Sequence, residues 1–235
     1  MVKFNLFDQF DIWIFKISDD YREMVTDLLI NRKPLRKTDF HQTHSDFCVL
    51  HKLNSGEPML AKKIKCQIAA DHIRPYLGQS QGIREFRSSQ ILERLNISCP
   101  SPILAGTNIS PLGTYESLFI CRYLPDHVNG SEFLSKQQNP ADREAYLCAV
   151  AKDLAVIHGN GLFHKDSHFG NILCNPEEMG KIYWIDNDLK QMGSKFDAYE
   201  KLAMHRFQNA LKNKFISPKE WDFFVDCYRN NLVKM

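Results

Sequence analysis

No uninterrupted apolar run in this chain approaches the ~20 residues needed to cross a bilayer. The opening Met1-Val2-Lys3-Phe4-Asn5 also lacks the continuous apolar region of a signal peptide. A soluble or peripheral protein is expected. The seven cysteines, at positions 48, 66, 99, 121, 148, 174 and 227, include no Cys-x-x-Cys pair. An odd, scattered set argues against a disulfide framework or a structural zinc site and points to a reducing cytoplasm. An excess of one charge is missing as well: 30 Lys and Arg stand against 28 Asp and Glu, for a formal net charge of +2. With no basic stripe interleaved with aromatics, a nucleic-acid partner is not expected. Internal repeats and low-complexity segments are absent too.

What is present is enough material for a core: 235 residues, 43% of them hydrophobic, make either one bilobal domain or two small ones. The most informative stretch is His164-Lys165-Asp166-Ser167-His168-Phe169-Gly170-Asn171, followed on the next apolar run by Ile185-Asp186. This is the spacing H-x-D-x-x-x-x-N with a later aspartate. Phosphoryl transfer from a nucleotide needs one carboxylate to orient the attacking hydroxyl, here Asp166. It also needs an amide oxygen and a second carboxylate, here Asn171 and Asp186, to hold magnesium against the phosphates. A hairpin through Ile172-Leu173-Cys174 and residues 181–185, turning at residues 175–180, would bring the three together. The bland alternative is a polar turn with an incidental Asp and Asn, and the ordered context of a helix before and a strand after speaks against it.

The upstream elements fit the same chemistry. Residues 10–17 read as a strand, and Asp19 or Asp20 caps a short helix over residues 19–29. Two apolar runs at 47–53 and 59–64, separated by Asn54-Ser55-Gly56-Glu57-Pro58, read as a hairpin. In its second strand Lys62 is placed to reach nucleotide phosphates, with Lys63 on the opposite side. Standing alone, that strand would be read with both lysines solvated on an edge. A helix over residues 84–95 changes this, because Glu85 is placed to pair with Lys62, ahead of Glu93 near the helix end. Residues 117–124 read as the last strand before a break at Pro125-Asp126-His127. A helix capped by Asn139, with Pro140 in its first turn and Leu147, Val150, Leu154 and Ile157 on one face, then delivers the chain to His164. Residues 198–211 read as a further helix. Ser217-Pro218-Lys219-Glu220 reads as a capping box opening a last one, with a stripe of Trp221, Phe224, Val225 and Tyr228 assigned to core packing.

These motifs resemble the lipopolysaccharide core kinases, the Kdo and heptose kinase group. The matching residues are Met59-Leu60-Ala61-Lys62, Arg84-Glu85-Phe86, the run from Gly161 to Leu173, and Trp184-Ile185-Asp186-Asn187-Asp188. The N-terminal pattern through Tyr21-Arg22-Glu23 resembles the short heptose kinases. The resemblance implies an α+β, bilobal, protein-kinase-like fold: a small β-rich N-lobe over residues 1–123 and a mostly helical C-lobe over 124–235, together one kinase-like domain. It implies that Lys62 contacts nucleotide phosphates and Glu85 supports Lys62. By the same resemblance Asp166 is the catalytic aspartate, and Asn171 and Asp186 bind Mg2+. The implied activity is ATP-dependent phosphorylation of a sugar hydroxyl, heptose or Kdo, of the lipopolysaccharide inner core, on the cytoplasmic face of the inner membrane, with peripheral membrane contact and no obligate protein partner.

The chain departs from the kinase pattern in several places. His41-Gln42-Thr43-His44-Ser45-Asp46 stands where a glycine-rich phosphate loop is expected. Asp-Phe-Gly reads Asp186-Asn187-Asp188, and Asp188 is expected to be a helix cap ahead of a second metal ligand. Lys165 replaces the loop arginine and loses its bidentate fork. No Ala-Pro-Glu follows, which disfavours a protein substrate. His164 is expected to pack and hydrogen-bond inside the fold, and His168 to be an exposed loop residue ahead of a substrate contact. The basic cluster at residues 32–37 is read as a solvated turn ahead of an anionic-lipid contact. Two other functions stay open: a small-molecule kinase of the aminoglycoside or choline type, and a nucleotide-binding pseudokinase acting as a scaffold.

Overall fold

The computed structural model describes residues 2–3, 12–17, 39–42, 45–51, 58–65, 79–108, 116–178 and 180–232. The helix expected over residues 19–29 and the basic cluster at 32–37 lie outside these. The chain divides into two compact units, Met1–Gln90 with Pro100–Leu124, and Ile91–Cys99 with Pro125–Met235.

The first unit is built on one antiparallel sheet of seven strands: β1 (Val2–Lys3), β2 (Ile12–Ile17), β3 (Asp39–Gln42), β4 (Ser45–His51), β5 (Pro58–Lys65), β6 (Pro102–Asn108) and β7 (Glu116–Arg122). Their order is β1-β2-β6-β7-β5-β4-β3. The expected hairpin is β4–β5, with Phe47 opposite Lys62. β7 lies on the other side of β5 and sets Phe119 opposite Lys62. Four of the six residues at the expected phosphate loop are strand, since β3 and β4 pair through His41↔Asp46 and Gln42↔Ser45. Helix α1 (Gln81–Arg94) begins in this unit. Its Gly82 lies so close to β7 that an added Cβ would sit 2.4 Å from the Leu118 carbonyl oxygen, and the Gly82 N–H donates to Ser117 Oγ at 3.1 Å. That approach lets Ile83 and Phe86 pack on Ala105, Phe119 and Cys121.

The second unit starts where α1 ends. Asn96 adopts φ +58°, the Ile97 N–H donates to the Leu92 carbonyl at 2.9 Å and the Asn96 N–H to Glu93 at 3.0 Å. This is a Schellman closure with Asn in the left-handed position. Leu92 and Ile97 enter a core formed with α2 (Gly130–Lys136), α3 (Pro140–Gly159), α4 (Phe196–Lys212) and α5 (Pro218–Asn231).

Both expected caps are present. Asn139 Oδ1 accepts from the Ala141 N–H at 3.1 Å. Ser217 and Glu220 bond reciprocally, at 3.3 Å from the Glu220 N–H to Ser217 Oγ and 2.7 Å from the Ser217 N–H to Glu220 Oε2. Phe224 and Tyr228 are buried, and Trp221 and Val225 pack against the same core. Arg143 ties the helices together: its Nε donates to Glu220 Oε1 at 2.5 Å, its Nη2 to the Phe215 carbonyl at 2.7 Å, and its Nη1 to the Leu134 carbonyl.

Two small ladders complete the unit. β10 (Ile172–Cys174) pairs with β11 (Ile182–Trp184) and β8 (Val128–Asn129), and β9 (Leu162–His164) pairs with β12 (Leu189–Gln191). The hairpin expected between Asn171 and Asp186 is therefore β10–β11. One expectation is corrected here: Asp188 caps no helix. The chain runs from it into β12, and α4 begins only at Phe196 after Lys195.

Candidate functional site

In the first unit, Lys62 and Glu85 meet. Lys62 Nζ lies 3.2 Å from Glu85 Oε2, and both side chains are only 7% exposed. Lys62 is therefore not a solvated edge lysine. A buried ion pair is expensive to break, because removing one partner leaves an uncompensated charge. Glu93, the competing acid, is exposed.

In the second unit, β9 ends at His164 and the chain turns through Asp166 into a short 3₁₀ turn, Phe169–Asn171, before β10. Asn171 sits in that turn with its Nδ2 donating to the Asp166 carbonyl and to Asp166 Oδ2, both at 3.0 Å. The amide orientation follows: nitrogen toward Asp166, Oδ1 away from it. The Asn171 carbonyl accepts the Ile185 N–H at 3.0 Å. The end of β11 is thereby pinned to the loop, with Asp186 one residue from the contact. Asp186 itself adopts φ +54°, the left-handed region, uncommon outside glycine but used by Asp more than by most residues. Asp166, Asn171 and Asp186 are thus gathered by two short hydrogen-bonded links.

The Asp166 side chain is 60% exposed, with His168 Nε2 3.6 Å from its Oδ1. The neighbouring His168 ring, opposed by partial burial and helped by the Asn171 hydrogen bond, holds the Asp166 carboxyl down at about 2. It is an ionised hydrogen-bond acceptor throughout the neutral range. His168 is half-exposed and lies beside this carboxylate.

His164 is fully buried. Its Nδ1 accepts the Asp166 N–H at 3.3 Å, and its Nε2 lies 3.1 Å from Asn187 Oδ1. Burial lowers its pKa, with Asn187 and the nearby carboxylates pulling the other way. It therefore packs and hydrogen-bonds, as expected. Lys165 spends its charge on Asp188, donating to both carboxylate oxygens at 2.9 Å, while its N–H donates to the Asp188 carbonyl at 3.0 Å.

Sequence reasoning passed over Asn187, which it took only as the middle of Asp-x-Asp. It also passed over Asp153, whose Oδ2 accepts the indole N–H of buried Trp184 at 2.9 Å. A polar residue between two aspartates just after an apolar strand was the available signal for the first. A lone carboxylate among the apolar residues of the second half of α3, Asp153, was the signal for the second.

The donor set suits magnesium. Among the described residues no group of three or more His, Cys, Asp or Glu could hold a metal ion by itself. Magnesium needs no such cage, since it is bound through one or two carboxylates together with substrate phosphates. The Asn171 amide oxygen and the Asp186 carboxylate are oxygen donors of the kind magnesium takes.

The model of the lipopolysaccharide kinase (Kdo/WaaP) family matches residues 36–228 of the chain. A solved structure described as WaaP in complex with acyl carrier protein is similar to it over 92% of this chain and 89% of that one, with TM-score 0.66 and 12% sequence identity. At that identity the likeness is one of fold, which is protein-kinase-like. No curated protein matches. A β-rich unit carrying the Lys62–Glu85 pair, a helical unit carrying the H-x-D-x-x-x-x-N loop, and a family match across most of the sequence lead to one assignment: the chain belongs to the lipopolysaccharide kinase (Kdo/WaaP) family.

Proposed function

We propose that this protein transfers the γ-phosphoryl group of ATP to a sugar hydroxyl of the lipopolysaccharide inner core, with heptose ahead of Kdo as the acceptor, and that its two units work as one kinase domain. The observation that carries the reading is the link between Asp166 and Asn171 within a chain whose family match spans residues 36–228. The choice of heptose rests on the likeness of the N-terminal pattern to short heptose kinases. The acceptor is part of a lipid-linked glycan, and no helix among the described residues is long and apolar enough to cross a membrane. Access by peripheral contact at the cytoplasmic face suits such an acceptor.

In this reading Lys62, steadied by Glu85, contacts the nucleotide phosphates. Asn171 Oδ1 and the Asp186 carboxylate hold magnesium, which when bound offsets charge on the phosphate oxygens. Asp166 accepts a hydrogen bond from the acceptor hydroxyl and orients it. Its low pKa makes it a weak base, so the proton moves to it late, once the attacking oxygen has become acidic through bond formation. The ion pair of Lys165 with Asp188 and the buried His164 keep the loop fixed while this happens.

Radiolabelled ATP and purified core oligosaccharide test the reading. The parent should label the oligosaccharide, and Asp166→Ala should lower the rate by about 10²–10⁴-fold. Labelling of an aminoglycoside or choline but not of the core would overturn the acceptor. Equal inertness of parent and variant with every acceptor would favour a scaffold.

A further inference from the structure

Asn187 occupies the position where the Asp-Phe-Gly pattern places an aromatic ring whose packing sets the active state. Here an amide stands there, 2% exposed. Its Oδ1 faces His164 Nε2 at 3.1 Å and its Nδ2 donates to the Trp184 carbonyl at 3.1 Å. On the far side of the imidazole, Nδ1 accepts the Asp166 N–H.

These contacts admit one proton arrangement. Because Nδ1 accepts, the imidazole proton lies on Nε2 and is donated to Asn187 Oδ1, and the Asn187 NH2 is left for the Trp184 carbonyl. Reversing the amide would set two donors against each other and two acceptors against each other. The Trp184 ring closes the arrangement, its centroid 5.2 Å from that of His164.

We propose that Asn187 is a positioning residue: through His164 it couples the backbone of Asp166 to the backbone on either side of Asp186, and so holds the Asp186 carboxylate in its metal-binding orientation. Asp186 needs such a restraint. At φ +54° it is in the left-handed region, which costs a residue other than glycine some strain even though Asp adopts it more readily than most. The Ile185 N–H bonded to Asn171 restrains it from before, and the doubly bonded Asn187 side chain restrains it from after. The loss of either Asn187 bond weakens this restraint and lets the Asp186 carboxylate turn. The inference rests on the reading of Asp186 as a metal ligand given above.

The test is a titration of the full chain with Mn2+ in the presence of ATP, following the electron paramagnetic resonance signal of free Mn2+. Asn187→Leu keeps the side-chain volume and removes both hydrogen bonds. Asn187→Ser, smaller and easier to accommodate, loses the span between His164 and Trp184 and serves if the leucine variant does not fold. Each folded variant should need at least ten-fold more Mn2+ for half-saturation than the parent, while ATP affinity measured in chelator stays within about two-fold. His164→Phe should produce a similar loss, and the His164→Phe, Asn187→Leu double variant should be no worse than the weaker-binding single variant, because the two residues act as one unit. Variants that take up Mn2+ like the parent, while Asp186→Ala does not, overturn the positioning role and leave the metal reading standing. If Asp186→Ala binds Mn2+ with ATP as the parent does, the metal reading falls and the inference falls with it.

Discussion

A single hydrogen separates what fits from what does not at residue 130. A Cβ built on Gly130 would lie 1.7 Å from the Tyr146 hydroxyl and 2.8 Å from the Phe169 carbonyl oxygen. Tyr146 cannot swing aside, because it is buried among Phe133 and Phe169 and its hydroxyl donates to the Ile172 carbonyl at 3.2 Å. The collision therefore reaches the 3₁₀ turn that carries Asn171. Gly130→Ala should destabilise the protein by about 1–3 kcal/mol, as over-packing does, and lower turnover beyond the loss of folded protein. Thermal unfolding combined with activity per folded molecule checks both parts. At the same scale the Lys62–Glu85 pair and the Asp166–Asn171 contact were legible because each follows from spacing within a motif. Asn187 was not, because its role depends on a partner 23 residues earlier, His164, that no local pattern reveals. Asp188 was misread for a related reason. Its partner Lys165 is brought alongside by the β9–β12 ladder, and a short polar residue before a helical stretch looks the same in sequence as a cap.

Between elements, the contact of α3 with β11 carries a pH signature. Burial raises the Asp153 carboxyl to about 6, against the pull of its hydrogen bond from Trp184. That value lies above the ordinary 3.8, so the folded protein holds the proton more tightly than the unfolded chain does. The stability this group contributes is full below pH 3.8 and is lost as the pH rises through about 6. Asp153→Asn keeps an oxygen for the indole and never ionises. It should stabilise the protein near pH 7 by at most ~3 kcal/mol and give no gain near pH 4, as urea unfolding at the two pH values would show. Helix existence and caps were the most legible part of this level, since Asn139, Pro140, Ser217 and Glu220 act on neighbours a few residues away. The ends of α1 were less so. Its closure depends on Asn96 in a left-handed conformation that Asn shares with many ordinary turns, and its start depends on the approach of Gly82 to β7, a contact distant in sequence.

At the scale of the whole molecule, the sequence pattern anticipated a β-rich unit followed by a helical one. What it left open was sheet order, since β6 pairs with β2 across more than eighty residues of chain and β5 with β7 across about fifty; long-range pairing is decided by global packing rather than by local preference. Nucleotide binding should register on the stability of the protein as a whole. With Mg2+ present and ATP at about one hundred times its Kd, the folded state gains ~2.7 kcal/mol. A thermal-shift measurement should show a higher Tm that falls back when a chelator removes the metal, and an identical Tm with and without the chelator would count against the cofactor. The position of Trp184 makes such events visible without any added dye. Its indole is wholly excluded from solvent, tilted against the His164 ring and bonded to Asp153. The protein thus carries its own fluorophore two residues from Asp186, with emission set toward shorter wavelengths, and occupation of the neighbouring carboxylates can be followed as a change in its intensity.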